Sequence, residues 1–443
     1  MLPVPSLRLA GLTAGAGAIA LVSPRPWPTL VAVNMVLLVL AVIDWRRAPA
    51  VDAVGLERNA PAVVTLGDTG TVTWTVRNPT RRPLPAALAD ELVDGLGAPH
   101  RRARMVVPAG GRVRRQVELR PTRRGRFELR SMTLRVTGPW GLAARQGTRS
   151  VPHALTVYPP FRSRREIELR LNRARQLQLG IRAVRARGTS MEFDSLREYT
   201  VDDELRRIDW AATARSATPV VRTYRAERNQ TVLVLVDCAR TMAALVGSIA
   251  DGSARSTAIP RLEHAMDAAQ AVTRLATGLG DRVGMIAFAD RVLATVPPRT
   301  QRDQLRLVTA TLAGIDARLV EADYRTAFAH TLHHFPRRAL LVVLTELASE
   351  AATQTLVPAL PLLRRRHLVT VAAVRDPIIE QWSVARPTTV DQTYRRAAAL
   401  RTLEQRAGVA RALRSQGATV IDAAPGRMAT ALTDAYLETK GRL

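Results

Sequence analysis

The sequence predicts an α/β protein in three parts: an N-terminal transmembrane helical hairpin, an all-β immunoglobulin-like sandwich, and a doubly wound, mainly parallel sheet covered by helices. Three observations predict it. Two apolar segments stand within the first 50 residues, short polar/apolar alternations fill 51–160, and continuous apolar runs alternate with amphipathic stretches from 231 onward. With 443 residues and 47% hydrophobic content, the chain can build more than one core.

The hairpin comes first, over 1–50. Its apolar segments run from about Leu9 to Val22 and from about Pro28 to Ile43, the second bracketed by Trp27 and Trp45. Each is slightly short of the ~20 residues that span a bilayer, but flanking residues extend both, and tryptophan suits the membrane–water interface. Gly and Ala in the first segment let a partner helix approach closely. A signal peptide formed by the first segment alone leaves the second unexplained. Arg8, Arg46 and Arg47 outweigh Arg25 in the turn, so the positive-inside rule puts both ends, and the soluble domains, on the cytoplasmic side of the plasma membrane.

The sandwich is expected over 51–160. Thr71–Asn78, Val113–Arg120, Phe127–Val136 and Ala154–Pro159 alternate polar and apolar residues, with Gly and Pro punctuating between them. Arginines at alternate positions read as a solvated face. Residues 161–230 are read as a basic connector followed by an acidic, Trp-bearing segment. The arginine density of Phe161–Gly188 suggests an exposed or lipid-proximal linker, helical in part.

From 231 to 443 the parallel sheet is built from Thr231–Val236, Arg282–Ala289, Ala339–Leu344, Leu368–Val374 and Ala418–Ala423, with helices between them. Arg291–Val296 is read as a hairpin partner of the second strand. Ligands of such sheets gather at the carboxyl ends of strands. Asp237 and Glu346 stand at two such ends.

Formal net charge is +27, nearly all of the positive charge is arginine, and Lys440 is the only lysine. Such a bias can reflect codon usage alone. Otherwise it favours anionic lipid or an acidic partner. Nucleic acid is disfavoured, since aromatics are 4% and no zinc-knuckle, helix-turn-helix or RNP-like pattern occurs. Cys238 is the single cysteine, so no internal disulfide can form, as suits a reducing compartment.

Catalytic motifs are wanting. A phosphate-binding loop needs lysine after a Gly-rich turn, and Lys440 lies at the tail. His330, His333 and His334 sit on one expected helix without the glutamate of a zinc-protease motif. Cys238 reads as a buried thiol, and Ser195 lacks a nucleophile-elbow context.

In Met191–Arg215, Ser195-Leu196-Arg197-Glu198 has capping-box spacing and predicts a short helix. Asp202 is placed to cap a second, running through Arg215. Its face of Leu205, Ile208 and Ala212, with Trp210 as apolar anchor, reads as a brace on the parallel-sheet domain. Glu192, Asp194, Arg197, Asp202, Asp203, Arg206, Arg207, Asp209 and Arg215 form a candidate docking surface on it.

The residues Glu192-Phe193-Asp194-Ser195-Leu196-Arg197-Glu198-Tyr199 and Asp202–Arg215 resemble the signature of the family called domain of unknown function 58. Asp237-Cys238-Ala239-Arg240-Thr241 resembles the first metal-site loop, Asp-x-Ser-x-Ser, of von Willebrand factor A domains. The resemblance implies a bacterial, membrane-anchored chain with a von Willebrand factor A-like C-terminal domain, and a MoxR-type AAA+ ATPase as its partner. This chain departs from the pattern in three places: Val201 replaces a glycine, Gly138-Pro139-Trp140-Gly141 replaces Asp-Pro-Phe-Gly, and Ala239 and Thr241 replace the serines. Ala322 stands where related domains carry a threonine ligand. Asp237, Thr241, Asp323 and Glu346 are the donors left for a Mg²⁺-type ion. Arg240 is placed to pair with Asp237 or Glu346 instead, so no cofactor is expected. Asp237, Arg240, Thr241, Asp323 and Glu346 then line a binding cleft. The expected function is a non-enzymatic adaptor in an assembly or envelope process. The alternatives are a metal-dependent binding protein and an uncharacterised hydrolase using Asp237 or Cys238.

Overall fold

The structure is a computed structural model describing residues 2–187, 196–198, 210–216, 218–222, 230–246, 259–301, 303–348 and 352–442. The chain divides into two units, Met1–Pro160 and Phe161–Leu443.

The first unit begins with β1 (Leu2–Pro5), α1 (Leu7–Val22) and α2 (Pro26–Arg47). It continues with β2 (Gly55–Asn59), β3 (Val63–Thr65), β4 (Gly70–Arg77), β5 (Leu84–Asp90), β6 (Arg102–Val107), β7 (Arg112–Leu119), β8 (Gly125–Thr137) and β9 (Ala143–Tyr158). The two helices pack on each other, yet only α2 is long and apolar enough to cross a membrane. At 16 residues, α1 spans about 24 Å at the α-helical rise, short of a hydrocarbon core. Of the two spanning segments expected, α2 alone is a candidate by length and composition among the described residues.

One sheet has the order β1-β9-β8-β5-β6, with β3 added parallel to β9, and the other has β2-β4-β7. In β4 the buried side alternates strictly: Val72, Trp74 and Val76 are fully buried between outward threonines. These side chains meet Leu88, Leu134, Val136 and Leu155 of the other sheet in one core, which makes the unit a β-sandwich. Arg58 on β2 crosses that core to Asp90 on β5, with Nε 3.0 Å from Oδ2 and Nη2 2.5 Å from Oδ1. Trp74 Nε1 donates to the same carboxylate at 2.6 Å. The guanidinium also donates to the carbonyls of Leu129, Ser131 and Val151, beside a bulge where Val151 and Pro152 face Arg130 alone. Proline is tolerated inside a strand at such a bulge.

The second unit opens with α3 (Arg164–Arg187), β10 (Leu196–Glu198), α4 (Trp210–Ser216) and β11 (Val220–Arg222). Next come β12 (Thr231–Asp237), β13 (Leu245–Val246), β14 (Ile259–Pro260), α5 (Arg261–Gly278), β15 (Arg282–Phe288) and β16 (Val292–Arg299). It ends with α6 (Gln304–Ala313), α7 (Tyr324–His334), β17 (Leu340–Leu344), α8 (Val357–Arg364), β18 (Leu368–Val374), α9 (Pro377–Val384), α10 (Val390–Ser415), β19 (Thr419–Ala423) and α11 (Met428–Arg442). The main sheet runs β16-β15-β12-β17-β18-β19, parallel except for β16. Both faces of β12 are buried. Val232, Val234 and Val236 join a core with α5, α6 and α11, while Leu233 and Leu235 join one with α7, α8 and α10.

Two expectations are corrected, and one helix is added. Leu196–Glu198 is a strand paired antiparallel with Val220–Arg222, not a helix: pairing with β11 overrides the local capping pattern. The basic stretch after 161 is no free linker. α3 buries Ile167 and Leu171 in the core, and Arg274 and Asp434 take ion pairs from its Glu168 and Arg170. Finally, α9 was not anticipated, although Asp376 accepts from Ile378 N at 3.0 Å and Pro377 opens the helix.

Candidate functional site

The carboxyl ends of β12 and β17 are neighbours, since Val236 pairs with Leu344. Asp237 ends β12 and is fully buried. Its Oδ1 accepts from Ala239 N at 2.8 Å, and its Oδ2 accepts from Thr345 at 2.6 Å and Tyr324 at 3.1 Å. The two hydroxyls themselves lie 2.6 Å apart. The segment joining α6 to α7 is pinned beside this strand end by backbone bonds, Arg318 N to Cys238 O at 2.7 Å and Arg240 N to Val320 O at 2.9 Å. Burial pushes the Asp237 carboxyl up, against the hydrogen bonds from Thr345, Ala239 and Tyr324, and nearby Glu346 adds to the rise. Burial and the Asp237 charge also raise the Tyr324 phenol.

Glu346 follows Thr345 and is likewise buried. Arg261 Nε lies 2.8 Å from its Oε2. Arg406, on the inner face of α10, pairs with its Oε1, and Ala348 N donates to the same oxygen at 2.8 Å. The second arm of Arg406 reaches Asp422 at 2.6 Å.

The expected cleft therefore needs correction. Asp237 and Glu346 do stand side by side, but as buried groups, the first hydrogen-bonded and the second charge-paired internally, not as an open acidic wall. Arg240 does not reach either of them; it is exposed and pairs with Glu321. The guanidinium partners of Glu346 are Arg261 and Arg406, which sequence reading missed. Arg406 carried a signal: with Val409, Ala410 and Leu413 it lies on the buried face of its helix, where an arginine needs a carboxylate. Asp323 caps α7, accepting from Thr326 N at 3.0 Å and Thr326 Oγ1 at 2.6 Å. Burial raises its carboxyl, but the Thr326 bonds outweigh this and hold it below the usual range. Thr241 is half-buried.

A hard divalent cation wants a near-octahedral set of oxygen donors. Ala239 offers none from its side chain, Asp237 is committed to three donors, and two guanidinium groups hold the charge of Glu346. These residues do not fit such an ion.

Of the signature residues, Glu192, Asp194, Asp202, Asp203, Arg206, Arg207 and Asp209 lie outside the described residues, as does Ser195. Arg197 is on β10. Trp210 and Arg215 are on α4, and Trp210 is 69% exposed, so it is not a buried anchor within this chain. Cys238 is fully buried. On α7, the His330 and His334 rings stack at 4.0 Å, and His330 Nε2 lies 3.1 Å from Thr295 Oγ1.

The features above define a mixed α/β protein with an N-terminal apolar helix, a β-sandwich and a six-stranded, largely parallel sheet. Residues 195–415 match the family described as "Protein of unknown function DUF58", and the chain belongs to that family. The uncharacterized protein Rv1480 of Mycobacterium tuberculosis is 26% identical over 249 residues, covering 53% of this chain and 74% of that protein. The uncharacterized protein Mb1516 of Mycobacterium bovis matches to the same extent. Among solved structures, the CARDB domain of a Pyrococcus furiosus protein matches with a TM-score of 0.17 and 10% identity, covering 24% of this chain and 93% of that one. A C. elegans member of the MSP family matches with a TM-score of 0.16 and 13% identity, covering 23% and 99%.

Proposed function

We propose that this chain is a membrane-anchored, non-enzymatic adaptor that works with a MoxR-type AAA+ ATPase. α1 and α2 form its membrane hairpin, and both units lie on the cytoplasmic side, as the arginines flanking the pair suggest. The sandwich is immunoglobulin-like. The second unit is von Willebrand factor A-like and doubly wound, a reading supported by the strand order, the antiparallel edge strand β16 and helices on both faces.

One observation carries the non-enzymatic reading: both oxygens of Asp237 accept from internal donors, and the charge of Glu346 is paired with the internal arginines Arg261 and Arg406. Asp237 and Glu346 act as internal struts. The rim above them, with Arg240, Glu321, Thr241 and Asp323, meets the partner. The metal-dependent alternative is disfavoured by the two arginines on Glu346. The hydrolase alternative requires turnover that disappears with Asp237→Asn.

Binding of the detergent-solubilised full chain to a purified MoxR-type ATPase, with and without nucleotide, tests the proposal. Wild type binds and Arg240→Glu weakens binding at least ~10-fold, as expected for a charge reversal at an interface. A wild-type chain that binds in no nucleotide state sinks the adaptor reading.

A further inference from the structure

We propose that the base of the N-terminal helix pair is a binding collar for anionic phospholipid headgroups, held rigidly on the sandwich by Asp44. The proposal rests on the membrane-anchor reading above.

Asp44 lies in the last turn of α2 and is fully buried. A carboxylate there opposes the helix dipole, so its reason must be tertiary. Oδ1 accepts from Trp140 N at 2.8 Å, and Oδ2 accepts from Leu142 N at 2.8 Å and Ala143 N at 3.0 Å. These amides belong to the turn between β8 and β9 and to the first residue of β9. A Cβ on Gly138 would lie 2.5 Å from the Asp44 carboxyl carbon, so only glycine leaves room for this bond set. The start of the pair is tied to the same turn. β1 pairs with Ala143–Gln146 of β9, and Ser6, the single residue between β1 and α1, donates its N–H to Leu142 O at 3.0 Å. No free linker separates helices from sandwich at either end: Ala48, Val51 and Val54, just past α2, are buried.

Arginine and tryptophan ring this junction. Arg47 sits 4.9 Å above the Trp140 ring, and Arg145 sits 4.9 Å above Trp45 while donating to Trp45 O at 2.8 Å. The Arg8 guanidinium packs over Gly141 of the same turn. Arg8, Arg46, Arg47 and Trp140 are exposed, and among the described residues none of these three arginines has a carboxylate within ion-pair range. Of the carboxylates near the junction, Asp44 is sealed inside, and Asp52 is exposed but forms no ion pair with these arginines among the described residues. Away from the junction, α2 exposes Val31, Met35, Val36, Leu38, Val39 and Val42, a surface that suits acyl chains. A bilayer that takes up those side chains brings its phosphates level with three unpaired guanidiniums. Guanidinium binds phosphate in a two-pronged geometry, and tryptophan sits well at headgroup depth. The ligand class is therefore an anionic phospholipid.

The full chain is mixed with vesicles of phosphatidylcholine alone or with phosphatidylglycerol, and flotation is scored. Native mass spectrometry of the recovered protein then measures retained phosphatidylglycerol against phosphatidylcholine. Wild type floats with both vesicles and retains phosphatidylglycerol preferentially by ~10-fold or more, a preference that fades with salt. Arg8→Gln/Arg47→Gln floats equally and unfolds at the same temperature, but loses the preference. Flotation without preference, or a preference unchanged in the variant, overturns the collar and leaves the anchor standing. Failure to float overturns the anchor and the collar with it.

Discussion

The hydroxyl oxygens of Tyr324 and Thr345 lie 2.6 Å apart, and both also touch Oδ2 of Asp237. Each hydroxyl owns one proton. With Asp237 ionised, two protons must serve three close contacts. With Asp237 protonated, three protons serve three contacts and the ring closes. This agrees with the upward push on Asp237 from burial.

A stability-versus-pH prediction follows for Asp237. Its folded form binds the proton more tightly than the unfolded chain does. The stabilisation is fully present below the ordinary carboxylate range and is lost as pH rises through the raised folded value. Asp237→Asn keeps an acceptor for Ala239 N and two N–H donors for the hydroxyls, so it should flatten that decline. Asp237→Ala should cost ~2–3 kcal/mol, because buried hydroxyls and an amide lose a partner. Urea midpoints of the full chain across acidic to neutral pH check both. A wild-type curve with the same slope as Asp237→Asn would refute the shared-proton ring.

His264 should act with the opposite sign. Burial, with the charge of Arg162, pushes its imidazole down from 6.5 to about 4. The unfolded chain takes up a proton that the folded chain refuses, so stability present above 6.5 is lost as pH falls toward 4. Replacing His264 with Gln should remove this acid-side loss while leaving the neutral-pH midpoint nearly unchanged.

At Glu346, removing one guanidinium should be severe. Arg406→Ala leaves buried Glu346 with Arg261 alone and takes the guanidinium from Asp422, at ~3–5 kcal/mol. Arg406→Lys should recover only part, since one ammonium cannot serve Glu346 and Asp422 in the forked geometry seen here. Mg²⁺ titration of wild type by calorimetry should show no site tight enough to change the unfolding temperature. Micromolar binding abolished by Asp237→Ala would contradict the fit argument.

In the sandwich, Asp90→Ala should be among the costliest substitutions, ~3–5 kcal/mol, because Arg58 is left charged inside the core. At the helix junction, Gly138→Asp alone should destabilise by overlap with Asp44. Combined with Asp44→Gly it should be milder than the sum of the two single changes, because the new carboxylate occupies the vacated space. Strict additivity in that double-mutant cycle would show that the two positions do not share one volume.

Much of the architecture was legible because period and composition agree. Thr231–Asp237 is apolar on both faces, as a covered parallel strand must be, and Thr71–Arg77 alternates as a half-buried strand must. The strand β9 was visible only over its last residues, since Gly147 and Pro152 interrupt its pattern and its pairing is dictated by β8. The site was half legible. Strand ends announced Asp237 and Glu346, but whether such ends are open depends on what covers them, here Tyr324 and the segment before it. Arg261 and Arg406 lie 85 and 60 residues from Glu346 in sequence, and only tertiary packing brings them to it. The Gly138 departure from the family motif becomes intelligible through Asp44, which fills from a distant helix the space a side chain would take.

β9 joins β1 at one end and β3 at the other, with β8 along most of its length between. A tug on α1 reaches this ribbon through β1, and a tug on α2 reaches it through the Asp44 bonds at the start of β9. To the extent that such a load runs along β9, its many cross-strand bonds to β8 share it in shear instead of peeling open one by one.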